Sequence, residues 1–228
     1  MAESSYPVLP DERLAAGVAR LVVRHQGRYS VETVQRLVAD SYEQLAANAH
    51  VRTHLVVLAE RFAAERLDAL AHVENPTGGD RTRVLFVCSH SAGRSQLAAA
   101  LLAHRAGGDV IVSSAGAHPS GSVDPHVVRA LTEAGIELDE VYPKPLTDEV
   151  VQAADIVITM GCGDACPVVS GHRYLDWPVP DPGGARSRSC VPSATPSTPG
   201  SPPCWTPCPA PEASRPRTAL HPCLRKNR

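Results

Sequence analysis

Val84-Leu85-Phe86-Val87-Cys88-Ser89-His90-Ser91-Ala92-Gly93-Arg94-Ser95 is the stretch on which the reading of this chain turns. Its first four residues are a short apolar run, as in a strand buried on both faces. Cys88 ends that run, and Arg94 stands where a helix of about 94–104 begins. The loop between them can curl so that its backbone N–H groups point inward. With the helix N-terminus they make a site for an anion. Arg94 can clamp two oxygens of a tetrahedral oxyanion with its planar fork. The same positive field favours the thiolate form of Cys88, the nucleophile, and Ser95 can donate a hydrogen bond to it. Ser89, His90, Ser91, Ala92, Gly93 and Arg94 are therefore the oxyanion-binding candidates, and Gly93 permits the tight turn. Cys-x5-Arg alone is a weak signal. The apolar strand before it, the Gly and Ser flanking Arg94 and the amphipathic helix after it make the signal strong.

Working outward, strands and helices alternate over residues 83–184. A second strand is predicted at 110–113, a helix at 124–134 stopped by Gly135, and a short helix capped by Thr147 running through Ala153. A third strand is predicted at 155–159. This β-α-β alternation predicts an α/β fold, a parallel sheet with helices on both faces. Just beyond the third strand lies Thr159-Met160-Gly161-Cys162-Gly163-Asp164-Ala165-Cys166-Pro167. In a parallel sheet this loop opens at the same carboxyl edge as Cys88. Cys162 and Cys166 could form half of a zinc site, but no second regular pair completes four ligands. No metal is expected.

Upstream, residues 11–74 read as an all-α three-helix bundle. The apolar faces are Leu14, Val18, Leu21 and Val22; Val31, Val34, Val38 and Leu45; and Leu55, Leu58, Phe62, Leu67 and Leu70. Ser30 suits an N-cap. So few residues bury little core alone, so the bundle is expected to pack against something else. Residues 75–82, beginning Asn75-Pro76-Thr77-Gly78-Gly79, form a linker.

Charge and composition exclude several classes. The first 184 residues carry 15 basic and 23 acidic side chains, net −8, against nucleic-acid binding. Residues 1–80 hold eight Arg, no Lys and eleven acids, against a DNA-binding helical module. No run approaches the ~18 apolar residues of a membrane helix, and the N-terminus lacks a signal-peptide pattern. A cytoplasmic location follows as the expectation. There, seven cysteines point to catalysis or metal binding rather than structural disulfides. Residues 185–228 differ in kind, with ten Pro, six Ser, four Cys and a net charge of +6. They are expected to be disordered. The abrupt change after Gly184 suggests a frameshifted tail.

The residues also resemble a known family. Val84–Cys88 with Ala92-Gly93-Arg94-Ser95-Gln96 is similar to the start of the low-molecular-weight protein tyrosine phosphatases and, more narrowly, of the arsenate reductases built on that fold. Ser113-Ser114-Ala115-Gly116, Lys144-Pro145-Leu146-Thr147 and Asp176-Trp177-Pro178-Val179-Pro180-Asp181-Pro182 match as well. The resemblance implies a thiol relay. Cys88 attacks arsenic in bound arsenate, Cys162 attacks Cys88 to release arsenite, and Cys166 resolves the disulfide to Cys162–Cys166. Thioredoxin then serves as the external reductant, with no bound cofactor. It further implies that Asp181 is the general acid for the leaving oxygen. The family carries Asn where Ser91 stands, a residue that tolerates left-handed backbone. After Gly184 the family continues into a charged amphipathic helix that this chain lacks. Segment 11–74 resembles a helical extension on some actinobacterial members, which implies a homodimer; a docking module for an unrelated partner is the alternative. Two other functions stand beside the reductase. One is a tyrosine phosphatase working through a phosphocysteine, which needs neither Cys162 nor Cys166 and favours an aromatic rim in a chain only 4% aromatic. The other is a non-catalytic oxyanion-binding or scaffold protein.

Overall fold

Three helices open the fold: α1 (Leu14–Arg24), α2 (Val31–Ala46) and α3 (Leu55–Glu74). The computed structural model describes residues 8–49, 52–76, 81–137, 141–162 and 166–179. Ser30 caps α2 as its sequence suggests, accepting a hydrogen bond from the Thr33 N–H at 3.1 Å. Leu14, Val18, Leu21, Val34, Val38, Leu45, Leu55, Phe62 and Leu67 meet in one core. Val31 does not join them. It is 49% exposed, because it is the first residue of its helix and lies off the inward stripe.

The helices do pack against something else. Tyr142, from the α/β part of the chain, is buried in their core. Ala69 of α3 joins a different cluster, against the sheet. All described residues fall within one packing unit, Met1–Arg188. The helical segment has its own apolar centre but shares side chains with its neighbour.

The sheet contains β1 (Thr82–Cys88), β2 (Val110–Gly116), β3 (Ile156–Thr159) and β4 (Arg173–Asp176) in the order β2-β1-β3-β4, every pair parallel. β4 was not anticipated; Arg173-Tyr174-Leu175-Asp176 has neither an apolar run nor a clean alternation, and only its pairing with β3 makes it a strand. β2 extends three residues beyond the predicted span. Ser114, Ala115 and Gly116 lack strand propensity, yet they pair with Phe86, Val87 and Cys88.

Helices cover both sheet faces, as the alternation requires. Val84, Phe86, Cys88, Ile158 and Met160 pack against Ala98, Ala99 and Leu102 of α4 (Arg94–Ala106). Leu85, Val87 and Val157 face the other way. They pack with Ala69 of α3 and with Val150 and Val151 of a short helix numbered α6 (Asp148–Gln152). Each such buried aliphatic or aromatic side chain contributes about 1.5–3 kcal/mol relative to exposure. Between β2 and α6 lies α5 (Pro125–Glu133), capped by Asp124, whose Oδ1 accepts from the His126 N–H at 2.8 Å. Thr147 holds the N-cap position of α6 but makes no side-chain cap bond. The acids Asp148 and Glu149 in its first turn complement the positive end of the helix dipole instead. No described helix is long and apolar enough to cross a membrane.

Candidate active site

The chain leaves β1, crosses to β2 on one side and later returns to β3 on the other. The strand order therefore reverses at the carboxyl end of β1, where open α/β sheets bind ligands. Cys88 occupies that point and is 2% exposed, its Sγ 3.0 Å from the buried Ser95 Oγ.

The loop after Cys88 is held by its carbonyls. Those of Cys88, Ser89, His90 and Ala92 accept from the N–H groups of Ala117, His118, Ser120 and Asp124, at 3.3, 2.8, 2.9 and 2.9 Å. The Ser91 carbonyl accepts from Gln96 Nε2 at 3.0 Å, and that of Gly93 from the Leu97 N–H at 2.9 Å. In a trans peptide the next N–H points opposite to its carbonyl. Turning these carbonyls outward thus turns the N–H groups of residues 89–94 toward the loop's centre. Gly93 ends the loop as the N-cap of α4, with no side-chain cap bond to occupy the first-turn amides. A small pocket of about 50 Å³ lies there, lined by Cys88, His90, Ala92, Gly93, Arg94 and Asp124. This is a cradle for a compact anion, with the thiol at its base.

Ser91 is fully buried and adopts φ +49°, the left-handed backbone that makes Asn the family's choice. Its hydroxyl accepts from Gln96 Nε2 at 3.0 Å and from the Lys144 N–H at 3.2 Å, so serine still ties the loop together.

Gly116 lies directly behind the loop. A Cβ there would sit 2.6 Å from the Ser91 N and 2.9 Å from the His90 carbonyl carbon, both backbone atoms. Gly116→Ala is expected to push the loop out of shape and destabilise the chain by about 1–3 kcal/mol. Oxyanion binding should fall with it, read as loss of phosphate protection of Cys88 from alkylation. Wild-type protection in that variant would show the loop is not confined by β2.

The second cysteine pair approaches from β3. The Met160 N–H donates to the Val87 carbonyl at 2.8 Å, and Ser89 Oγ donates to the Gly161 carbonyl at 3.0 Å. The residue after Cys88 is thus bonded to the residue before Cys162. Gly161 has φ +74°, and a Cβ there would lie 2.6 Å from Arg94 Nη1. Arg94 Nη1 also donates to the Val179 carbonyl at 3.1 Å, so the strap after β4 crosses the guanidinium.

Cys162 is half-buried and Cys166 is 8% exposed. Burial raises the Cys162 thiol above its ordinary range; backbone N–H bonds at Cys162 and Met160 oppose this, and nearby Cys88 and Asp176 add to it. Burial pushes Cys166 up to about 11, with Cys162 adding a smaller push. The thiols also lie on different sides. Cys88 packs on the α4 face of the sheet, while Cys166 packs with Leu85, Val87 and Val157 on the opposite face, with Cys162 beside it.

Asp181 and the 185–228 tail lie outside the described residues, as do residues 163–165 between the two cysteines. Asp176 is engaged by Thr159 Oγ1, which donates to its Oδ1 at 2.8 Å. Among the described residues no three His, Cys, Asp or Glu side chains gather as a metal site. Gln96, Lys144 and Gly116 fall within the family motifs, but nothing local gives them a role: Gln96 reaches Tyr142, Lys144 reaches Glu65, and Gly116 backs Ser91. Glu65 carried no signal at all.

The fold and this loop define a class. The family model described as low molecular weight phosphotyrosine protein phosphatase matches residues 83–174, and one described as protein-tyrosine-phosphatase-like, N-terminal domain matches residues 14–71. The chain belongs to the low molecular weight phosphotyrosine protein phosphatase family.

Within it, the chain is similar to a thioredoxin-dependent arsenate reductase of Corynebacterium glutamicum. The two are 48% identical with a TM-score of 0.68, covering 72% of this chain and 82% of that one. An arsenate reductase of Bacillus licheniformis is 34% identical over 106 residues, 45% of this chain and 75% of that protein. A protein-arginine-phosphatase of Bacillus subtilis is 44% identical over 82 residues, 34% of this chain and 54% of that protein.

Proposed function

We propose that the protein reduces arsenate to arsenite by a relay of three thiols, Cys88, Cys162 and Cys166. The observation that supports this reading is the Ser89–Gly161 hydrogen bond, which ties the residue after Cys88 to the residue before Cys162. Similarity to the Corynebacterium glutamicum enzyme over both segments of the chain supports it.

The inward N–H groups of the loop and Arg94 hold the arsenate oxygens. The Cys88 thiolate attacks arsenic(V), a sulfur–arsenic bond forms, and an arsenic oxygen leaves as water, with Asp181 as the proposed proton donor. Cys162 then attacks the Cys88 sulfur. The sulfur–sulfur bond forms as the sulfur–arsenic bond breaks, and its electron pair stays on arsenic, which departs as arsenite. Cys166 attacks Cys162, returns Cys88 to the thiolate, and leaves Cys162–Cys166 oxidised. A dithiol reductant of the thioredoxin class supplies the two electrons and protons that restore it. We place the reaction in the cytoplasm, and propose that the N-terminal helices also join two copies.

The test is arsenate-dependent NADPH oxidation coupled through thioredoxin and its reductase. Turnover is expected. Hydrolysis of an aryl phosphate or phosphoarginine without arsenate turnover would favour the second reading, a phosphatase, which the Bacillus subtilis relative supports.

The buried thiols also set a pH dependence. Cys166 keeps its proton up to about 11 in the folded chain, whereas an unfolded thiol loses it near 8.5. Between those values the folded state binds more protons. The contribution to stability is therefore complete below about 8.5 and lost as pH rises through about 11. Urea midpoints across that range should fall in wild type and fall less in Cys166→Ser. Equal slopes would show that Cys166 is not buried in solution.

A further inference from the structure

Ser91 is a serine in left-handed backbone inside the anion loop. Such a conformation persists only where its surroundings over-determine it. Two sets of bonds hold it, and both are rooted in the N-terminal helices.

The first runs through Lys144, whose backbone N–H donates to Ser91 Oγ at 3.2 Å. Its carbonyl accepts from the Gly116 N–H at 2.9 Å, behind the same loop. Lys144 is 5% exposed, and its ammonium lies 2.7 Å from Glu65 Oε2 on α3 and 5.3 Å from the Tyr142 ring centroid. A buried ammonium needs such a partner, so Glu65 fixes where Lys144 sits. The second runs through Tyr142, whose ring is buried in the three-helix core. Its carbonyl accepts from Gln96 Nε2 at 2.5 Å, and the same amide donates to Ser91 O and Oγ at 3.0 Å each.

We propose that the N-terminal helices brace the oxyanion loop within a single chain, with Glu65 and Lys144 as positioning residues. This goes beyond joining two copies. It rests on reading 88–95 as an oxyanion loop, not on the choice between reductase and phosphatase. The linkage is reciprocal: an oxyanion that orders the loop also tightens the helices onto the α/β part, and loosening the helices weakens the oxyanion.

The experiment uses the full chain and three variants, Glu65→Gln, Lys144→Met and Lys144→Arg. Hydrogen exchange is followed at amides 89–94 and in β1. In parallel, inorganic phosphate is titrated as a protector of Cys88 against iodoacetamide. Glu65→Gln and Lys144→Met are expected to speed loop exchange and raise the half-protecting phosphate concentration by about threefold to thirtyfold. The loop amides should speed up by more than the β1 amides, whose exchange reports any general loss of stability; a purely general loss would speed β1 without a separate rise at the loop. Lys144→Arg keeps the ion pair and should behave as wild type. Unchanged loop exchange in the first two variants overturns the proposal, as does Lys144→Arg behaving like Lys144→Met. If phosphate fails to protect wild type, the oxyanion reading falls, while the exchange comparison still decides the brace.

Discussion

Cys166→Ser is expected to release a single arsenite per chain and then stop. In the proposed relay Cys88 and Cys162 alone reduce one arsenate, so the first cycle needs no third thiol. What the variant loses is the exit from the Cys88–Cys162 disulfide, which leaves the nucleophile blocked. Thioredoxin-coupled multiple turnover should fall to about one-thousandth of wild type or less, as when one member of a concerted catalytic set is removed. Rapid-quench measurement of arsenite on the first cycle, beside steady-state NADPH oxidation, separates the two. Sustained turnover in this variant would remove Cys166 from the relay. Cys162→Ser should differ in kind and release no arsenite even on the first cycle. Burial holds both thiols above their ordinary titration range.

Arg66→Met should destabilise the chain by about 3–5 kcal/mol, the loss seen when one member of a buried ion pair is removed. The Arg66 side chain is 8% exposed on α3. Its Nη1 lies 2.6 Å from Asp40 Oδ2 and 3.0 Å from Ser41 Oγ, and its Nε donates to Glu149 Oε1 on α6. The guanidinium carbon lies 5.4 Å from the Phe62 ring centroid. Asp40 is 46% exposed and water can solvate it after the substitution. Glu149, at 13%, cannot be rescued in that way, and the fully buried Ser41 hydroxyl loses a donor. Such a loss is a large share of the ~5–15 kcal/mol that holds a domain folded. Urea unfolding should show a lowered midpoint. Adding Glu149→Leu should recover much of the loss, because removing both charges is close to neutral. A loss under about 1 kcal/mol in the single variant would mean the pair behaves as a solvated surface pair.

Local pattern made some of this readable in the sequence. The run Val84–Val87 has to be a buried strand, and Gly93-Arg94-Ser95 has to begin a helix, so Cys88 and its loop followed directly. Cys162 could be placed at the same edge because parallel strands share their carboxyl end. β4 was not legible, because Arg173–Asp176 owes its strand character to β3 alone. The last turn of β2 was missed because small residues there yield to the loop behind them. Glu65, Arg66, Tyr142 and Lys144 were beyond reach for another reason. The ion pairs Glu65–Lys144 and Arg66–Glu149 join residues roughly 80 positions apart, and a helical wheel assigns Glu65 and Arg66 to solvent. Asp181 lies outside the described residues, so its proposed role rests on the family motif alone.

Cys88 and Cys166 pack on opposite faces of one sheet. In the proposed relay, two electrons enter on the α6 side, turn the corner of the sheet at Cys162, and reach arsenic on the α4 side. Arsenate and reductant would then be handled on different sides of the same sheet. The sheet would separate the oxyanion half-reaction from the thiol-recycling half-reaction.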